Sequence, residues 1–210
     1  TSKHKKIFGG NMNMHFASIF EKISKIIPEE PALICEDKIL SWGEYEDQAA
    51  KLASYLESKG LSFDSKVGLY LHNSNEYLVA QFATFKNECV PINVNYRYQE
   101  DELIYLLDNS DAEAIFYQAC YSDRIKSIKS KLPKIKAYIQ VMDGSEDLLE
   151  GSDDYSYIIQ NVYADSSEVF GGIYEDKEIM KRANSAIEYY NNLMGMTCES
   201  GKTASLKKQI

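Results

Sequence analysis

Two positions along the chain place polar residues where an open α/β sheet usually binds a ligand. His72 and Asn73 follow the apolar run 67–71, and Arg97 follows the run 90–94. If both runs are parallel strands, their carboxyl ends lie at one edge of the sheet, where such folds bind ligands. The sequence therefore predicts that His72, Asn73 and Arg97 face a cleft, with Arg97 available to an anionic group. The alternative is a polar turn beside a surface arginine.

A second candidate site is the segment 197–203, which has the sequence TCESGKT. Backbone amides, hydroxyls and a lysine can together cradle phosphate oxygens. A Walker A loop encloses four residues between its glycines, whereas Gly195 and Gly201 enclose five, and no buried strand is predicted before them. Glu199 would also place a negative charge beside the phosphates, so a chance match in a basic tail is the alternative. The residues of this degenerate phosphate-loop candidate are Thr197, Ser200, Gly201 and Lys202.

Other kinds of catalytic site find no support in the sequence. The three histidines show no metal-ligand spacing, the four cysteines are far apart without a C-x-x-C pair, and no G-x-S-x-G elbow occurs. The acidic residues between positions 143 and 176 form no calcium-loop pattern and are typical of a solvated linker. We therefore predict no metal site and assign no catalytic residue.

The composition limits the classes of partner. The chain has 210 residues and a formal net charge of −9, which argues against a nucleic-acid surface because such a surface needs a basic face. No apolar run approaches the roughly 20 residues that span a bilayer. The basic start TSKHKKIFGG lacks the apolar core of a signal peptide. We expect no nucleic-acid partner, no transmembrane segment and a cytoplasmic location.

The elements that would position His72 and Arg97 alternate regularly. Strands are predicted over residues 67–71, 90–94, 112–117 and 137–141, and helices over 75–87, 100–110 and 121–132, with Ser74 as the cap of the first helix. Parallel strands joined by helices cross over right-handed. This alternation predicts an α/β fold with an open, mainly parallel sheet and flanking helices.

The residues before this unit predict two helices and a hairpin. An apolar stripe between Asn13 and Ile27 indicates a helix that Pro28 ends, and residues 32–35 and 38–40 flank a two-residue turn. Ser41 and Glu44 then form a capping box for a helix that Gly60 ends in a left-handed conformation.

The residues after position 141 predict an appendage. A short helix is expected over residues 153–159, and apolar residues recur at helical spacing in the segment 176–194. Whether that amphipathic helix packs on the domain or binds a partner stays open. The domain boundaries are therefore a basic tail at 1–12, an α/β subdomain at 13–160, and an acidic linker, amphipathic helix and frayed tail at 161–210.

Three segments also carry a resemblance to a known family: GLYLHNSNEY (68–77), VPINVNYRY (90–98) and DELIYLLDNS (101–110). In order and spacing they resemble the AMP-forming acyl-CoA synthetases of the adenylate-forming superfamily, and LSWGEY (40–45) is similar to an early structural motif of that family. The resemblance implies that residues 13–160 form the first subdomain of the family's large N-terminal domain. It also implies the use of ATP with Mg²⁺ and of coenzyme A.

What the resemblance implies for activity depends on the missing parts. The family's phosphate loop resembles T-S-G-T-T-G-x-P-K-G, which TCESGKT matches only with a deletion, and the family's C-terminal catalytic lysine has no counterpart here. We therefore expect a partial AMP-dependent acyl-CoA synthetase that binds no cofactor and is inactive alone. A complementary chain or a homodimer would cover its exposed apolar surface. The alternative is a non-catalytic α/β module that binds a protein partner.

Overall fold

A five-stranded sheet and a separate hairpin organise the chain in the computed structural model, which describes residues 16–163. The strands are β1 (Pro31–Cys35), β2 (Lys38–Ser41), β3 (Lys66–Tyr70), β4 (Val90–Asn93), β5 (Ala112–Gln118), β6 (Ala137–Val141) and β7 (Asp153–Asp154). The helices are α1 (Phe16–Ile26), α2 (Trp42–Ser58), α3 (Asn75–Lys86), α4 (Glu100–Asn109), α5 (Ser122–Ile128) and α6 (Tyr155–Asn161). The predicted tail at 1–12 and helix at 176–194 lie outside the described residues.

The main sheet is parallel throughout, in the spatial order β4-β3-β5-β6-β7. The predicted open α/β fold is therefore confirmed. The predicted short helix over residues 153–159 is wrong at its start, since Asp153–Asp154 form the strand β7 and the helix α6 begins only at Tyr155. The two strands β1 and β2 form their own antiparallel hairpin, as predicted.

One predicted helix is wrong in its extent. The sequence favoured a single helix over residues 121–132, whereas the structure has a 3-10 turn at Ala119–Tyr121, then α5, then a second 3-10 turn at Lys129–Lys131. Leu132 has left the helical conformation at φ −120° and ψ 64°. Pro133 accounts for the non-helical Leu132, because a proline disfavours the helical conformation of the residue before it. It does not account for the change to a 3-10 turn at Lys129.

The two predicted caps are present. The Ser41 hydroxyl accepts from the Glu44 amide at 3.2 Å, and the Glu44 carboxylate accepts from the Ser41 amide at 2.8 Å. The Ser74 hydroxyl likewise accepts from the Tyr77 amide at the start of α3. Gly60 follows α2 with φ +79°, the left-handed conformation that glycine adopts at little cost. These caps fix where α2 and α3 begin.

The sheet buries a separate core on each face. On one face, side chains such as Val67, Leu69 and Phe116 pack with α1, α2, α3 and α6. On the other, Tyr70, Ile115 and residues of α4 and α5 form the second core. A sheet that is covered on both sides exposes only its edges to a ligand, so the site is sought at the carboxyl edge.

A buried ion-pair group joins three helices on the first face. The ammonium of Lys86 at the end of α3 contacts Glu21 of α1 at 2.5 Å and Glu46 of α2 at 2.7 Å. The Lys86 side chain is fully buried, and the two glutamates are 15% and 14% exposed. Close by, the ring of Phe82 packs against the rings of Phe20 and Tyr45, with centroids 5.2 and 4.9 Å apart. Together these contacts dock α1.

The far edge of the sheet is held by the Asp153 carboxylate. It accepts hydrogen bonds from the Tyr55 hydroxyl at 2.5 Å and the Lys59 ammonium at 3.1 Å, both of the α2 region. Partial burial works to raise the pKa of Asp153, but these hydrogen bonds and the Lys59 charge outweigh it and lower the pKa below its usual value.

This lowered pKa predicts a pH-dependent stability. Because the pKa of Asp153 is lower in the folded chain, its contribution is complete above the unfolded pKa of about 3.9 and is lost as pH falls through the folded value. We expect the wild-type chain to lose more stability than Asp153→Asn between about pH 5 and pH 3, measured by urea unfolding at each pH. Asp123→Asn, which removes an exposed carboxylate of α5, is the control and should follow the wild type. Parallel curves for Asp153→Asn and wild type would contradict the assignment.

Within residues 16–163, no helix is both long enough and apolar enough to cross a membrane.

Candidate functional site

The strand order creates a crevice between the carboxyl ends of β3 and β5. The connection through α3 leads from β3 to β4 on one side, and the connection through α4 returns to β5 on the other side of β3. The chain therefore leaves β3 towards one side of the sheet and enters β5 on the other side, so the direction of the connections reverses between β3 and β5. Open α/β sheets bind ligands in the crevice that such a reversal opens.

Side chains from three strand ends meet at this crevice. His72 follows β3, Tyr96 follows β4 and Tyr121 follows β5. The Tyr121 hydroxyl lies 2.5 Å from Nε2 of His72, and the Tyr96 ring meets the His72 ring edge-on with centroids 5.3 Å apart. With Tyr70, Arg97 and Arg124, these residues are called the carboxyl-edge cluster.

Arg124 ties the cluster to the loop before α4. Its Nη1 donates to the Tyr98 carbonyl at 2.9 Å and to the Tyr70 hydroxyl, while the guanidinium lies over the Tyr121 ring, 5.4 Å from the centroid. The Tyr70 hydroxyl in turn donates to the Tyr98 carbonyl at 2.9 Å. A guanidinium carries five N–H donors, so Arg124 retains donors beyond these two bonds.

The pKa values of Tyr121 and of the neighbouring Cys120 favour a binding role over a nucleophilic one. Burial, with smaller contributions from Cys120 and Tyr70, raises the pKa of Tyr121 to about 12, so its hydroxyl keeps its proton at neutral pH. The Tyr121 hydroxyl and His72 Nε2 share one hydrogen bond, in which the tautomer of the imidazole decides which of the two is the donor. Burial and the neighbouring Asp143 carboxylate raise the pKa of Cys120, which keeps the thiol protonated and weakens it as a nucleophile.

Of the three residues predicted to face a cleft, the structure brings only some into contact with the carboxyl-edge cluster. His72 belongs to the cluster, Asn73 is exposed in the turn that follows it, and exposed Arg97 stacks on Tyr96 with its guanidinium carbon 5.5 Å from the ring centroid. Their roles in a cleft stay predictions. The residues of the phosphate-loop candidate lie outside the described part of the chain and stay predictions: Thr197, Ser200, Gly201 and Lys202.

Sequence reasoning missed Tyr121 and Arg124. The rule that singled out His72 applies equally to β5, whose carboxyl end is followed directly by Ala119, Cys120 and Tyr121. Arg124 lies one helical turn further on, and its approach to Tyr70 depends on how α5 packs against the sheet. No sequence pattern encodes that contact over 54 positions.

The chemistry of the donors indicates the kind of ligand that fits. Arg97 and Arg124 both lie on tyrosine rings, and no carboxylate is within ion-pair distance of either in the part of the chain that the structure describes. Guanidinium groups bind phosphate oxygens, and aromatic faces stack on planar bases. Over residues 16–163, no three histidine, cysteine or acidic side chains gather closely enough to hold a metal ion. The strand order defines an open α/β domain with a candidate ligand site at its carboxyl edge.

Comparisons with known proteins identify the family. A family model described as AMP-binding enzyme matches residues 20–174. The chain is 36% identical over 135 residues to the 3-oxocholest-4-en-26-oate--CoA ligase of Rhodococcus rhodochrous, covering 64% of this chain and 24% of that protein. It is 31% identical over 161 residues to the medium-chain acyl-CoA ligase Mig of Mycobacterium avium, covering 70% and 29%. The chain belongs to the AMP-binding enzyme family.

Solved structures agree on the fold. The acetoacetyl-CoA synthetase of Streptomyces lividans matches 71% of this chain and 25% of its own, with a TM-score of 0.67 at 20% identity. The N-terminal domain of FACL13 from Mycobacterium tuberculosis matches 77% and 38%, with a TM-score of 0.63 at 16% identity. The fold is therefore that of the adenylate-forming N-terminal domain. The chain spans about a quarter of the length of the first curated relatives it matches.

Proposed function

We propose that the chain serves a carboxylate–CoA ligase that activates a fatty acid or related carboxylate as an acyl-adenylate and then forms a CoA thioester. The match to the AMP-binding family supports the reaction class, and the relatives named above are themselves CoA ligases. ATP supplies the adenylyl group and coenzyme A supplies the acyl-accepting thiol. Burial raises the pKa values of the Cys89 and Cys120 thiols, so neither is an activated nucleophile, and we assign the described residues a part in binding.

The carboxyl-edge cluster is the proposed place of that binding. The single observation that carries this proposal is the pair Arg97 and Arg124, which have no carboxylate partner among residues 16–163 in a chain of net charge −9. Arg97 and Arg124 would hold phosphate oxygens of the nucleotide, and Tyr96, which is 43% exposed, would offer its ring to the base. His72 and Tyr121 would orient the ligand by hydrogen bonds. The phosphate-loop candidate Lys202 remains a separate prediction.

A binding titration with Arg97→Met tests this proposal. Arg97 is exposed, and within the described residues its guanidinium donates no hydrogen bond to the protein backbone. Replacing the side chain should therefore leave the fold intact. A charge-assisted hydrogen bond contributes about 1.5–3 kcal/mol, so we expect the dissociation constant to rise roughly tenfold or more. Isothermal titration calorimetry with ATP and, separately, with coenzyme A at one fixed salt concentration measures it and tells the two ligands apart.

The matched control is Lys126→Met, which removes an equal charge from the exposed side of α5. It should leave both dissociation constants as in the wild type. Equal weakening by both variants would mean that net charge alone attracts the nucleotide, and no weakening by Arg97→Met would remove the cluster from the proposal. In either case we expect no carboxylate-dependent pyrophosphate exchange from the chain alone.

A second candidate function is a non-catalytic module that binds a protein partner. The observation that favours it is the exposed pair Ile34 and Ile39 on the hairpin, which a complementary chain or a second copy could cover. The ligase proposal ranks first, because the match to the AMP-binding family supports it directly.

A further inference from the structure

A short turn after β4 carries two residues of the carboxyl-edge cluster. The Tyr98 amide donates to the Asn95 carbonyl at 2.9 Å, and the Arg97 amide donates to the Asn95 side chain at 3.0 Å. An asparagine at the first position is typical of such a hydrogen-bonded turn. Tyr96 and Arg97 form the tip of the turn, and both are exposed. The segment 95–98 is called the edge turn.

The backbone of the edge turn is held by a tyrosine from inside the domain. Tyr70 ends β3, and its side chain is fully buried. Its hydroxyl donates to the Tyr98 carbonyl at 2.9 Å and lies 3.3 Å from the Tyr96 carbonyl. Nη1 of Arg124 donates to the same Tyr98 carbonyl at 2.9 Å and to the Tyr70 hydroxyl. A carbonyl oxygen has two lone pairs and a hydroxyl both donates and accepts, so the bonds to the Tyr98 carbonyl and between Arg124 and Tyr70 form together.

We propose that Tyr70 is a positioning residue, whose hydroxyl holds the edge turn so that Arg97 is in place to bind an anionic ligand. This inference rests on the proposed function, since it takes Arg97 as a ligand-binding residue. Tyr70 has no exposed surface, so it acts on a ligand only through other residues. A turn that is fixed before the ligand arrives loses less conformational entropy on binding. Removing the hydroxyl should therefore weaken binding, although no ligand atom touches it.

The ring and the hydroxyl of Tyr70 have separate partners. The ring belongs to the core on the α4 and α5 side of the sheet, and its centroid lies 4.4 Å from that of the Tyr121 ring. The hydroxyl instead contacts the edge turn and Arg124. Burial raises the pKa of Tyr70 and outweighs the lowering effect of Arg124, so the hydroxyl keeps the proton that it donates. Tyr70→Phe therefore removes the contact with the turn and keeps the ring in the core.

A double-mutant cycle of Tyr70→Phe with Arg97→Met tests the proposal. Isothermal titration calorimetry with ATP and, separately, with coenzyme A measures the dissociation constants of the wild type, both single variants and the double variant. We expect Tyr70→Phe to raise the dissociation constant roughly fivefold, which corresponds to the loss of one hydrogen bond. In the Arg97→Met background the same change should have no further effect, because the turn then has no arginine to position. A general loss of packing would weaken binding equally in both backgrounds.

Hydrogen–deuterium exchange of the full chain, read by mass spectrometry, observes the edge turn without any ligand. We expect the amides of residues 95–99 to exchange roughly fivefold faster in Tyr70→Phe than in the wild type, because the turn opens more often. Exchange in β6 should stay unchanged, which shows that the domain is folded.

The matched control is Tyr45→Phe, which removes a buried hydroxyl from the other face of the sheet. The Tyr45 side chain is 4% exposed, and its hydroxyl donates to the Leu78 carbonyl at 3.1 Å. This variant loses the same kind of hydrogen bond, from a tyrosine to a backbone carbonyl. It should change neither the dissociation constants nor the exchange of the edge turn.

The outcomes separate this proposal from the proposed function. If Arg97→Met weakens binding and Tyr70→Phe does not, the positioning role is overturned and the binding site stands. Equal weakening by Tyr70→Phe in both backgrounds would overturn it in favour of an effect on Arg124. Unchanged exchange of the edge turn in Tyr70→Phe would also overturn it. If Arg97→Met binds both ligands as the wild type does, the proposed binding site fails, and the positioning of Arg97 for a ligand fails with it.

Discussion

Replacing Lys86 by methionine is expected to destabilise the protein by about 3–5 kcal/mol, the largest effect of any single charge removal that we foresee. Lys86 is fully buried and is the shared cation of Glu21 and Glu46. Methionine fills a similar volume but leaves two carboxylates that repel each other with little water around them. Urea unfolding monitored by circular dichroism measures the loss.

Two further variants separate charge from packing. Adding Glu21→Gln and Glu46→Gln to Lys86→Met removes the unpaired charges and should recover much of the lost stability. Lys38→Met breaks an ion pair whose lysine is 76% exposed, and should cost less than about 1 kcal/mol. A triple variant as unstable as Lys86→Met would show that the packing of the lysine stem, and not its charge, supplies the stability.

Truncating Phe82 to alanine is expected to cost about 3–5 kcal/mol, because it opens a cavity where three helices meet. Phe82 is fully buried, packs edge-on against Phe20 and lies 5.3 Å beneath the Lys86 ammonium. The same urea measurement applies. The cost should appear mainly as a lower midpoint with an unchanged slope, since the denatured state is little altered.

Phe63→Ala is the matched control, since this phenylalanine is 77% exposed and its truncation should change stability by less than about 0.5 kcal/mol. Because Lys86 contacts the Phe82 ring, the two losses should not add in a double variant. Strict additivity would mean that the ring and the ion-pair group are energetically separate.

The fold could be predicted from the sequence because its signals are local. The strand–helix alternation, the Ser41–Glu44 capping box and Ser74 are each readable within a few residues, and all are present. The same local reasoning failed at β7, because Asp153 and Asp154 were predicted to begin a short helix and instead pair with β6. It also failed at the end of α5, where the chain changes to a 3-10 turn four residues before Pro133.

The candidate site was only half predictable, since its contacts are long-range. The position of His72 follows from one strand end, but its hydrogen bond to Tyr121 joins residues 49 positions apart. The contacts of Lys86 are long-range as well. A lysine at the end of a helix is typical of an exposed cation, yet the two glutamates that it contacts lie 65 and 40 positions away in the sequence. Such pairs are visible only once the elements are packed.

The two outer strands of the main sheet determine how the molecule meets its own copies. The amides of Val90 and Val94 donate inward to β3, so the alternating position Pro91 points outward and has no N–H to offer. At the opposite border, β7 is only two residues long and both are aspartates. Neither border is a good template for strand addition by another chain. Concentrated solutions should therefore resist fibre growth by strand addition at the borders of this sheet.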